Sequence, residues 1–342
     1  MLYDQGQLLS LYATTHLLTA SPSTPPELDF SLIAADILAY LASNLVSPHG
    51  GFYCAEDADS LPSAEDAKKR EGAFAVWTEK EVREILVKEA GMSSKELEVF
   101  EYYFDVHGPG NVKPGPTDPH GELKGQNVLR VLRSVGDVAG KFGVGEEEVR
   151  RVVAAGKAEL KRVRATRPPP IRDDKILVAW NGLAISGLAK AHAFLMPDAA
   201  TSEYLEKAIA AADFIQREMY DTETKGLRRT YLDGPGSKGV AEDYAFLIQG
   251  LLDLYEAMVL SDAQGGRYLE FAADLQEYLD ANFWDSVGWG YFTGAKNPTS
   301  EERIGEATDF VLLRTKEDHD GAEPSPNSVS LGRSRSLGGI VD

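Results

Sequence analysis

The side chains of this sequence that could do chemistry are chiefly carboxylates. Residues 50–60, GGFYCAEDADS, carry Glu56, Asp57 and Asp59 in one short loop, and no Lys or Arg precedes Lys68. Hydrolysis of a glycosidic bond uses two carboxyl groups about 5 to 9.5 Å apart across the sugar ring, one of which stays protonated. Because carboxylates crowded into a partly desolvated cup repel one another, we expect the pKa of at least one to be raised.

Further candidates lie where the sequence predicts helix starts and polar turns. The predicted catalytic carboxylates are Asp57, Asp59, Asp174 and Asp243. The predicted substrate-binding residues combine aromatic faces, which stack on sugar rings, with acids, an amide and a histidine for the hydroxyls: Tyr3, Asp4, Glu56, Asp173, Trp180, Asn181, Tyr244 and His319. Each also has a structural interpretation, because Asp caps helix starts, acids in turns are solvated and aromatic side chains pack in cores.

Two kinds of helix alternate along the chain and would position these residues. One kind, beginning near Tyr3, Val178 and Glu242, is apolar on most faces and interleaved with small residues, which predicts burial among other helices. The other kind is amphipathic and ends in a polar turn with glycine, within residues 30–53, 204–231 and 268–292. The alternation predicts an all-α fold, an incomplete α/α toroid with short β and loop insertions, whose inner-helix starts line a central funnel.

The alternation of the two kinds of helix is interrupted between residues 60 and 170. Residues 60–140 include a Gly- and Pro-rich stretch and are predicted to form an ordered, lid-like insertion, and the charged segment over residues 146–167 predicts another outer helix. The partial toroid domain is therefore assigned to residues 1–330. Residues 331–342, LGRSRSLGGIVD, have no apolar periodicity and are predicted to be disordered.

Composition disfavours several classes of protein. The net charge of −19 opposes binding to a phosphate backbone, so we predict no nucleic-acid partner. The single cysteine, Cys54, excludes an intramolecular disulfide and a Cys-x-x-Cys redox motif, and the sequence predicts no cofactor and no metal site. No apolar run approaches the roughly 18 residues of a membrane span. Residues 1–67 lack the Lys and Arg of targeting signals, which predicts a cytoplasmic protein. The oligomeric state stays open.

Strings spread in order along the chain carry a resemblance to a known family. They include MLYDQGQLL, GGFYCAEDADS, EGAFAVWTEKE, RDDKILVAWNGLAISGLAKA, EDYAFLIQGLLDLYEA and RTKEDHDGAEPSPNSVS. The chain resembles the spermatogenesis-associated protein 20 family, which implies a thioredoxin-like domain fused to a six-hairpin, (α/α)6 toroid similar to N-acylglucosamine 2-epimerases and glycoside hydrolases. This sequence resembles the toroid part alone, so the resemblance implies a truncated form without the thioredoxin-like domain.

Three functions stay open at this point. The first is sugar processing by paired carboxylates in the funnel, and the second is a non-catalytic toroid that binds a ligand or acts as a scaffold. The third is sugar epimerisation, which needs two opposed bases, usually histidines, whereas only His319 is conveniently placed. We further predict that the loop over residues 54–60, CAEDADS, joins the inner-helix ends in one polar site around Asp4, Asp173, Asp174, Trp180, Asn181 and Asp243.

Overall fold

The computed structural model describes residues 1–19, 29–113, 115, 118, 121–260, 265–296 and 313–338. The chain divides into two compact units. Unit 1 takes the described residues of 1–55 and 173–342, and unit 2 takes those of 56–172. Each unit has a hydrophobic core of its own.

Helices make up most of the described part of unit 1 and are the main regular structure of unit 2. The helices of unit 1 are α1 (Leu2–Thr19), α2 (Phe30–Tyr40, continued by a π-helical turn over Leu41–Leu45), α7 (Val178–Leu195), α8 (Glu203–Glu218), α9 (Ala241–Leu260), α10 (Gly266–Phe283) and α11 (Pro326–Gly338). The helices of unit 2 are α3 (Glu79–Lys88), α4 (Ser94–Phe104), α5 (Val135–Phe142) and α6 (Glu146–Arg164).

The strands are two residues long throughout the described part of the chain. They are β1 (Ala55–Glu56), β2 (Asp59–Ser60), β3 (Arg70–Glu71), β4 (Arg172–Asp173), β5 (Ile176–Leu177) and β6 (Thr230–Tyr231). β2 pairs antiparallel with β3, and β5 pairs antiparallel with β6 so that Ile176 lies opposite Tyr231. β5 leads directly into α7, so this small pair fixes where that helix begins.

Four helices form the inner layer of unit 1. α1, α7, α9 and α11 contact one another in this order, and α7 and α9 are buried over most of their length. Glycines permit this close packing: a Cβ built at Gly182 lies 2.5 Å from the carbonyl carbon of Phe246, and one built at Gly250 lies 2.5 Å from the carbonyl oxygen of Gly182. A side chain at either position would force α7 and α9 apart.

Three amphipathic helices form the outer layer of unit 1. α2 packs on α1, α8 on α7 and α10 on α9. α8 is typical: the hydroxyl of Ser202 caps its first turn by accepting a 3.3 Å hydrogen bond from the amide of Leu205, and Ala208, Ala212 and Ile215 face the core. The alternation of inner and outer helices confirms the predicted all-α fold, an incomplete (α/α)6 toroid with short strands.

Unit 2 is a small helical unit around its own apolar centre. Trp77 and Phe100 are among its fully buried side chains, and α3 and α4 each begin with a capping box, at Thr78 and Ser93 respectively. The segment predicted to be a lid-like insertion, residues 60–140, lies within this unit. Its action as a lid stays a prediction.

The charged helix α6 packs differently from its prediction. It contacts α3, α4 and α5, and its apolar face, including Val149 and Leu160, belongs to the core of unit 2. The prediction of another outer helix of the ring is therefore wrong. Its apolar periodicity was correctly interpreted, but periodicity does not tell which core a helix faces.

The end of the described chain is helical. α11 runs to Gly338, so the backbone of residues 331–338 is helical where the sequence predicts a disordered tail, and residues 339–342 lie outside the described residues. The order of this tail in solution stays a prediction. Among the described helices, none has the length and apolar character needed to cross a bilayer.

Candidate functional site

The starts of two inner helices place two aromatic rings against each other in unit 1. Tyr3 lies in the first turn of α1 and Trp180 in the first turn of α7, and their rings meet edge to face with centroids 4.9 Å apart. The indole Nε1 of Trp180 donates a 2.9 Å hydrogen bond to Oε2 of Glu323, in the segment that precedes α11. All three side chains are partly exposed, so an aromatic surface lies beside a carboxylate.

An arginine and two adjacent acids complete the group at the start of α9. Arg229 donates a 3.1 Å hydrogen bond to Asp243 and forms a salt bridge with Glu242. The side chain of Glu242 is 20% exposed, whereas that of Asp243 has no exposed surface. We call these six residues the rim cluster: Tyr3, Trp180, Arg229, Glu242, Asp243 and Glu323.

The carboxyl group of Glu323 is an accessible group of the rim cluster with a shifted pKa. Burial raises its pKa, and the negative charge of Glu242 raises it further. The hydrogen bond from Trp180 and the charge of Arg229 act in the opposite direction and do not cancel the increase. Glu323 therefore holds a proton to a higher pH than a solvated glutamate. Glu242 forms a salt bridge with Arg229.

Asp243 ties the inner helices together instead of facing solvent. One of its oxygens accepts a 3.2 Å hydrogen bond from the amide of Ala179, and the other accepts a 2.9 Å hydrogen bond from the amide of Val240. Burial raises the pKa of Asp243 to about 7, although Arg229 and both amides lower it. With no exposed surface, its carboxylate is unsuited to the predicted contact with substrate.

Two predicted substrate-binding residues are buried structural groups. Asn181 accepts a 2.8 Å hydrogen bond from the amide of Phe52 and donates a 3.0 Å bond to its carbonyl, which fastens the end of the 50–53 turn to α7. The hydroxyl of Tyr244 accepts a 2.8 Å hydrogen bond from the amide of Leu227, and its ring stacks on Tyr278. The structure places both away from solvent, because each satisfies backbone groups that burial would otherwise leave unpaired.

Four other predicted residues of unit 1 lie at the surface. Asp4 is partly exposed beside Tyr3, and burial together with the charge of Asp4 raises the pKa of the Tyr3 hydroxyl. Asp173 pairs with Lys175 at 3.2 Å. The remaining two are exposed and lie outside the contacts of the rim cluster described above: Asp174 and His319.

The acidic loop over residues 50–60 belongs to unit 2 from Glu56 onward, whereas the other predicted site residues belong to unit 1. Asp57 is exposed, pairs with Lys69 at 2.7 Å and accepts a 3.1 Å hydrogen bond from the amide of Asp59. The hydrogen bond from Lys69 lowers the pKa of Asp57, so Asp57 is not the carboxylate whose pKa the crowding raises. Asp59 lies in β2 opposite Glu71. The union of this loop with the inner-helix ends stays a prediction.

Three members of the rim cluster are absent from the site residues predicted from the sequence: Arg229, Glu242 and Glu323. Arg229 lies in the turn before β6, where no motif marks it, and only the fold brings it to α9. Glu323 follows His319 in the string KEDHDGAEPSPN, and His319 was the residue of that string predicted to bind substrate. A carboxylate in a Gly- and Pro-rich segment was the signal that could have identified Glu323.

The described residues contain other features that could hold a ligand. A cavity of about 100 Å³ in unit 2 is lined by both Arg70 and Arg167 and by the acids Glu71, Glu81 and Glu122. This mixture of positive and negative side chains points to no single class of ligand. No group of His, Cys, Asp and Glu among the described residues has the arrangement of a metal site.

Comparison with known proteins gives the chain its relatives. No protein-family model matches it. The chain is 40% identical to human (Homo sapiens) spermatogenesis-associated protein 20 over 96% of its own length and 40% of the relative's length. It is 39% identical to the rat (Rattus norvegicus) protein over 100% of its own length and 41% of the relative's. These identities confirm the resemblance to the spermatogenesis-associated protein 20 family. The chain spans about two fifths of the length of these curated relatives.

Solved structures with a related arrangement show weaker similarity. A sugar epimerase from a ruminal bacterium matches with a TM-score of 0.37 and 12% identity, over 100% of this chain and 88% of that chain. Cellobiose 2-epimerase from Spirochaeta thermophila matches with a TM-score of 0.35 and 13% identity, over 100% of this chain and 87% of that chain. At TM-scores this low, the likeness assigns neither an activity nor a substrate.

Proposed function

We propose that the rim cluster of unit 1 binds a carbohydrate. The observation that supports this most directly is the hydrogen bond from Trp180 to Glu323, because it fixes a partly exposed indole ring beside a carboxylate. Aromatic faces pack on the apolar faces of sugar rings, and carboxylates accept hydrogen bonds from hydroxyl groups. Trp180 and Tyr3 therefore contact the sugar ring in this proposal, and Glu242 and Glu323 contact its hydroxyls.

The two accessible carboxylates also differ in the way that acid–base chemistry on a sugar requires. Glu323 has a raised pKa and is suited to donate a proton to a leaving oxygen, whereas Glu242 forms a salt bridge with Arg229. We propose this pair as the acid and the base of any sugar-processing activity. The predicted catalytic roles of Asp57, Asp59 and Asp174 stay predictions.

A second candidate function is non-catalytic binding, which the apolar surroundings favour. Leu183, Phe246 and Val329 form a buried cluster among α7, α9 and α11, and Tyr3 and Trp180 pack against it. Apolar side chains behind the aromatic pair limit the depth to which a ligand could enter. In this alternative the same sugar is held at the rim and leaves unchanged.

The histidine arrangement does not favour epimerisation. His192 is buried on α7 with its Nδ1 2.9 Å from the hydroxyl of Ser202, and burial lowers its pKa. His319 is exposed. Two opposed bases at the rim cluster would have to come from side chains other than these two histidines.

Calorimetric titration of the full chain with a panel of neutral mono- and disaccharides tests the proposal. Trp180→Phe, which loses the indole donor, and Glu323→Gln, which loses the charge, are each expected to weaken binding about tenfold or more, the scale of one charge-assisted hydrogen bond. Trp289→Phe, at a 73% exposed tryptophan outside the rim cluster, is the matched control and should bind as the parent does.

Absence of binding by the parent chain to every sugar in the panel would contradict a carbohydrate site. Equal affinity of the parent and both rim variants would show that the sugar binds outside the rim cluster. Release of a reducing end or an altered sugar by the parent, lost in Glu323→Gln, would distinguish processing from simple binding.

A further inference from the structure

Resting on the carbohydrate site proposed above, we infer that the rim cluster selects a sugar with a positively charged amino group over neutral and anionic sugars. The recognising groups are the carboxylate of Glu323, the carboxylate of Glu242 and the aromatic pair Tyr3 and Trp180. The proposal thus names an unacetylated amino sugar as the ligand class.

The charge balance of the rim cluster disfavours an anionic ligand. Its acids are Glu242, Asp243 and Glu323, and its one cation is Arg229. The guanidinium of Arg229 is already engaged by Glu242 and by the buried Asp243. With its charges met inside the protein, Arg229 is poorly placed to serve as the counter-ion of an anionic ligand.

The surroundings of Glu323 also favour a positively charged ligand. The hydrogen bond to its Oε2 comes from the neutral indole of Trp180, at 2.9 Å, so this contact brings no positive charge to the carboxylate. Two further carboxylates, Glu242 and Glu317, act on Glu323 by repulsion, and the opposing attraction of Arg229 is smaller than the effect of Glu242 alone. A ligand ammonium group beside Glu323 would relieve that repulsion, whereas a phosphate or carboxylate there would add to it.

The aromatic pair Tyr3 and Trp180 also favours a positively charged ligand. Trp180 and Tyr3 meet edge to face at 4.9 Å, and both rings are partly exposed. An ammonium group is attracted to the negative face of an aromatic ring, and tryptophan is the best of the aromatic partners. The combination of aromatic rings with a carboxylate that accepts its hydrogen bond from a neutral indole is therefore suited to a cation that also carries a ring. The net charge of −19 on the whole chain adds a long-range preference of the same sign.

Binding of a matched set of sugars to the full chain tests the inference. The set is glucosamine, glucose, N-acetylglucosamine and glucose 6-phosphate, at low salt and at a pH where the amine is protonated, with 2-aminoethanol as an amine without a sugar ring. We expect glucosamine to bind at least tenfold more tightly than glucose and N-acetylglucosamine, and glucose 6-phosphate to bind most weakly. Added salt should reduce the preference.

Variants assign the preference to its residues. Glu323→Gln should abolish the advantage of glucosamine over glucose while glucose affinity changes less, and Glu242→Gln should reduce it. Glu223→Gln, at an exposed acid in the turn after α8, is the control and should keep the parent's preference. Circular dichroism of each variant confirms that it is folded.

The outcomes separate the inference from the proposed function. If none of the sugars binds, the carbohydrate site itself fails, and the inference fails with it. If glucose and glucosamine bind equally, or glucose 6-phosphate binds most tightly, the inference is overturned while the carbohydrate site stands. Binding of 2-aminoethanol as tight as that of glucosamine would also overturn it, because the sugar ring would then contribute nothing.

Discussion

Glu323 decides the chemistry of the rim cluster at the scale of single residues. It fixes the indole of Trp180, and its carboxyl group is the accessible one whose pKa burial and Glu242 raise. A protonated and a deprotonated Glu323 offer the indole different acceptors, so the state of the acid is linked to the position of the ring.

The ionisation of Glu323 should be visible at Trp180. We expect the indole N–H resonance of Trp180 to shift with pH, with a midpoint above the ordinary glutamate value of 4.5, because burial favours the neutral acid. Glu323→Gln should remove this titration and leave the other indole resonances as they are. A midpoint at or below 4.5 would contradict the described surroundings of Glu323.

The buried carboxyl of Asp243 should make stability depend on pH. Its pKa is about 7 in the folded chain and returns to 3.8 on unfolding, so between these values the folded state binds more protons. Its contribution to the free energy of unfolding is therefore fully present below about 3.8 and is lost as pH rises through about 7.

Chemical denaturation of the parent and of Asp243→Asn across this interval measures the effect. The parent should lose stability relative to the variant as pH rises, by at most ~1.4 kcal/mol per pH unit, the slope for one proton. Parallel stability curves for the two proteins would show that Asp243 titrates alike in the folded and unfolded chain.

The kinds of side chain that form the site could be predicted from the sequence, but their exposure to solvent could not. An aromatic or amide residue at an inner-helix start looks the same in a string of letters whether it faces solvent, as Trp180 does, or backbone, as Asn181 does. The carboxylate partner of Trp180 lies 143 positions away in the chain, and only the fold brings it there.

At the scale of elements, the spacing of the inner helices is what positions the rim cluster. α7 carries Trp180 and α9 carries Glu242 and Asp243, so the distance between these helices sets the distance between the groups. Gly182 and Gly250 allow the two backbones to approach, and no larger residue fits at either position without displacement.

Gly250→Ala should therefore destabilise the chain and weaken ligand binding together. We expect a loss of about 1 to 3 kcal/mol in the free energy of unfolding, typical of overpacking, measured by denaturant titration. Gly266→Ala is the control, because a Cβ there meets nothing within 4 Å, and it should change stability by less than about 1 kcal/mol. Unchanged stability of Gly250→Ala would mean that α7 and α9 are less closely packed.

Periodicity predicted the elements well and their partners less well. The inner helices begin at Leu2, Val178 and Ala241, each within one residue of its predicted start, because a helix apolar on most faces is a strong local signal. α6 was correctly predicted as a helix and wrongly assigned to the ring. Its partners are set by long-range packing, which a local pattern does not record.

At the scale of the whole molecule, two separate hydrophobic cores stabilise the chain. Phe100 is fully buried in the core of unit 2, and Phe271 is 2% exposed in the core of unit 1. Each side chain contacts the residues of its own core, so the loss of either should be felt first in its own unit.

The matched pair Phe100→Ala and Phe271→Ala tests this division. Each should cost about 3 to 5 kcal/mol in its own unit. Hydrogen exchange read by mass spectrometry should show faster exchange in residues 56–172 for Phe100→Ala and in α8–α10 for Phe271→Ala. Equal acceleration throughout the chain in both variants would indicate one cooperative core instead of two.

The central claim is that a sugar binds beside Trp180 and Glu323, and the indole N–H of Trp180 is its most direct reporter. We would record the indole region of a ¹H–¹⁵N spectrum of the full chain during titration with glucosamine and with glucose, using Trp180→Phe to assign the resonance. Our account predicts a saturable shift of the Trp180 resonance, larger for glucosamine, with Trp77, Trp284 and Trp289 unmoved. A Trp180 resonance that stays in place while either sugar binds would contradict it.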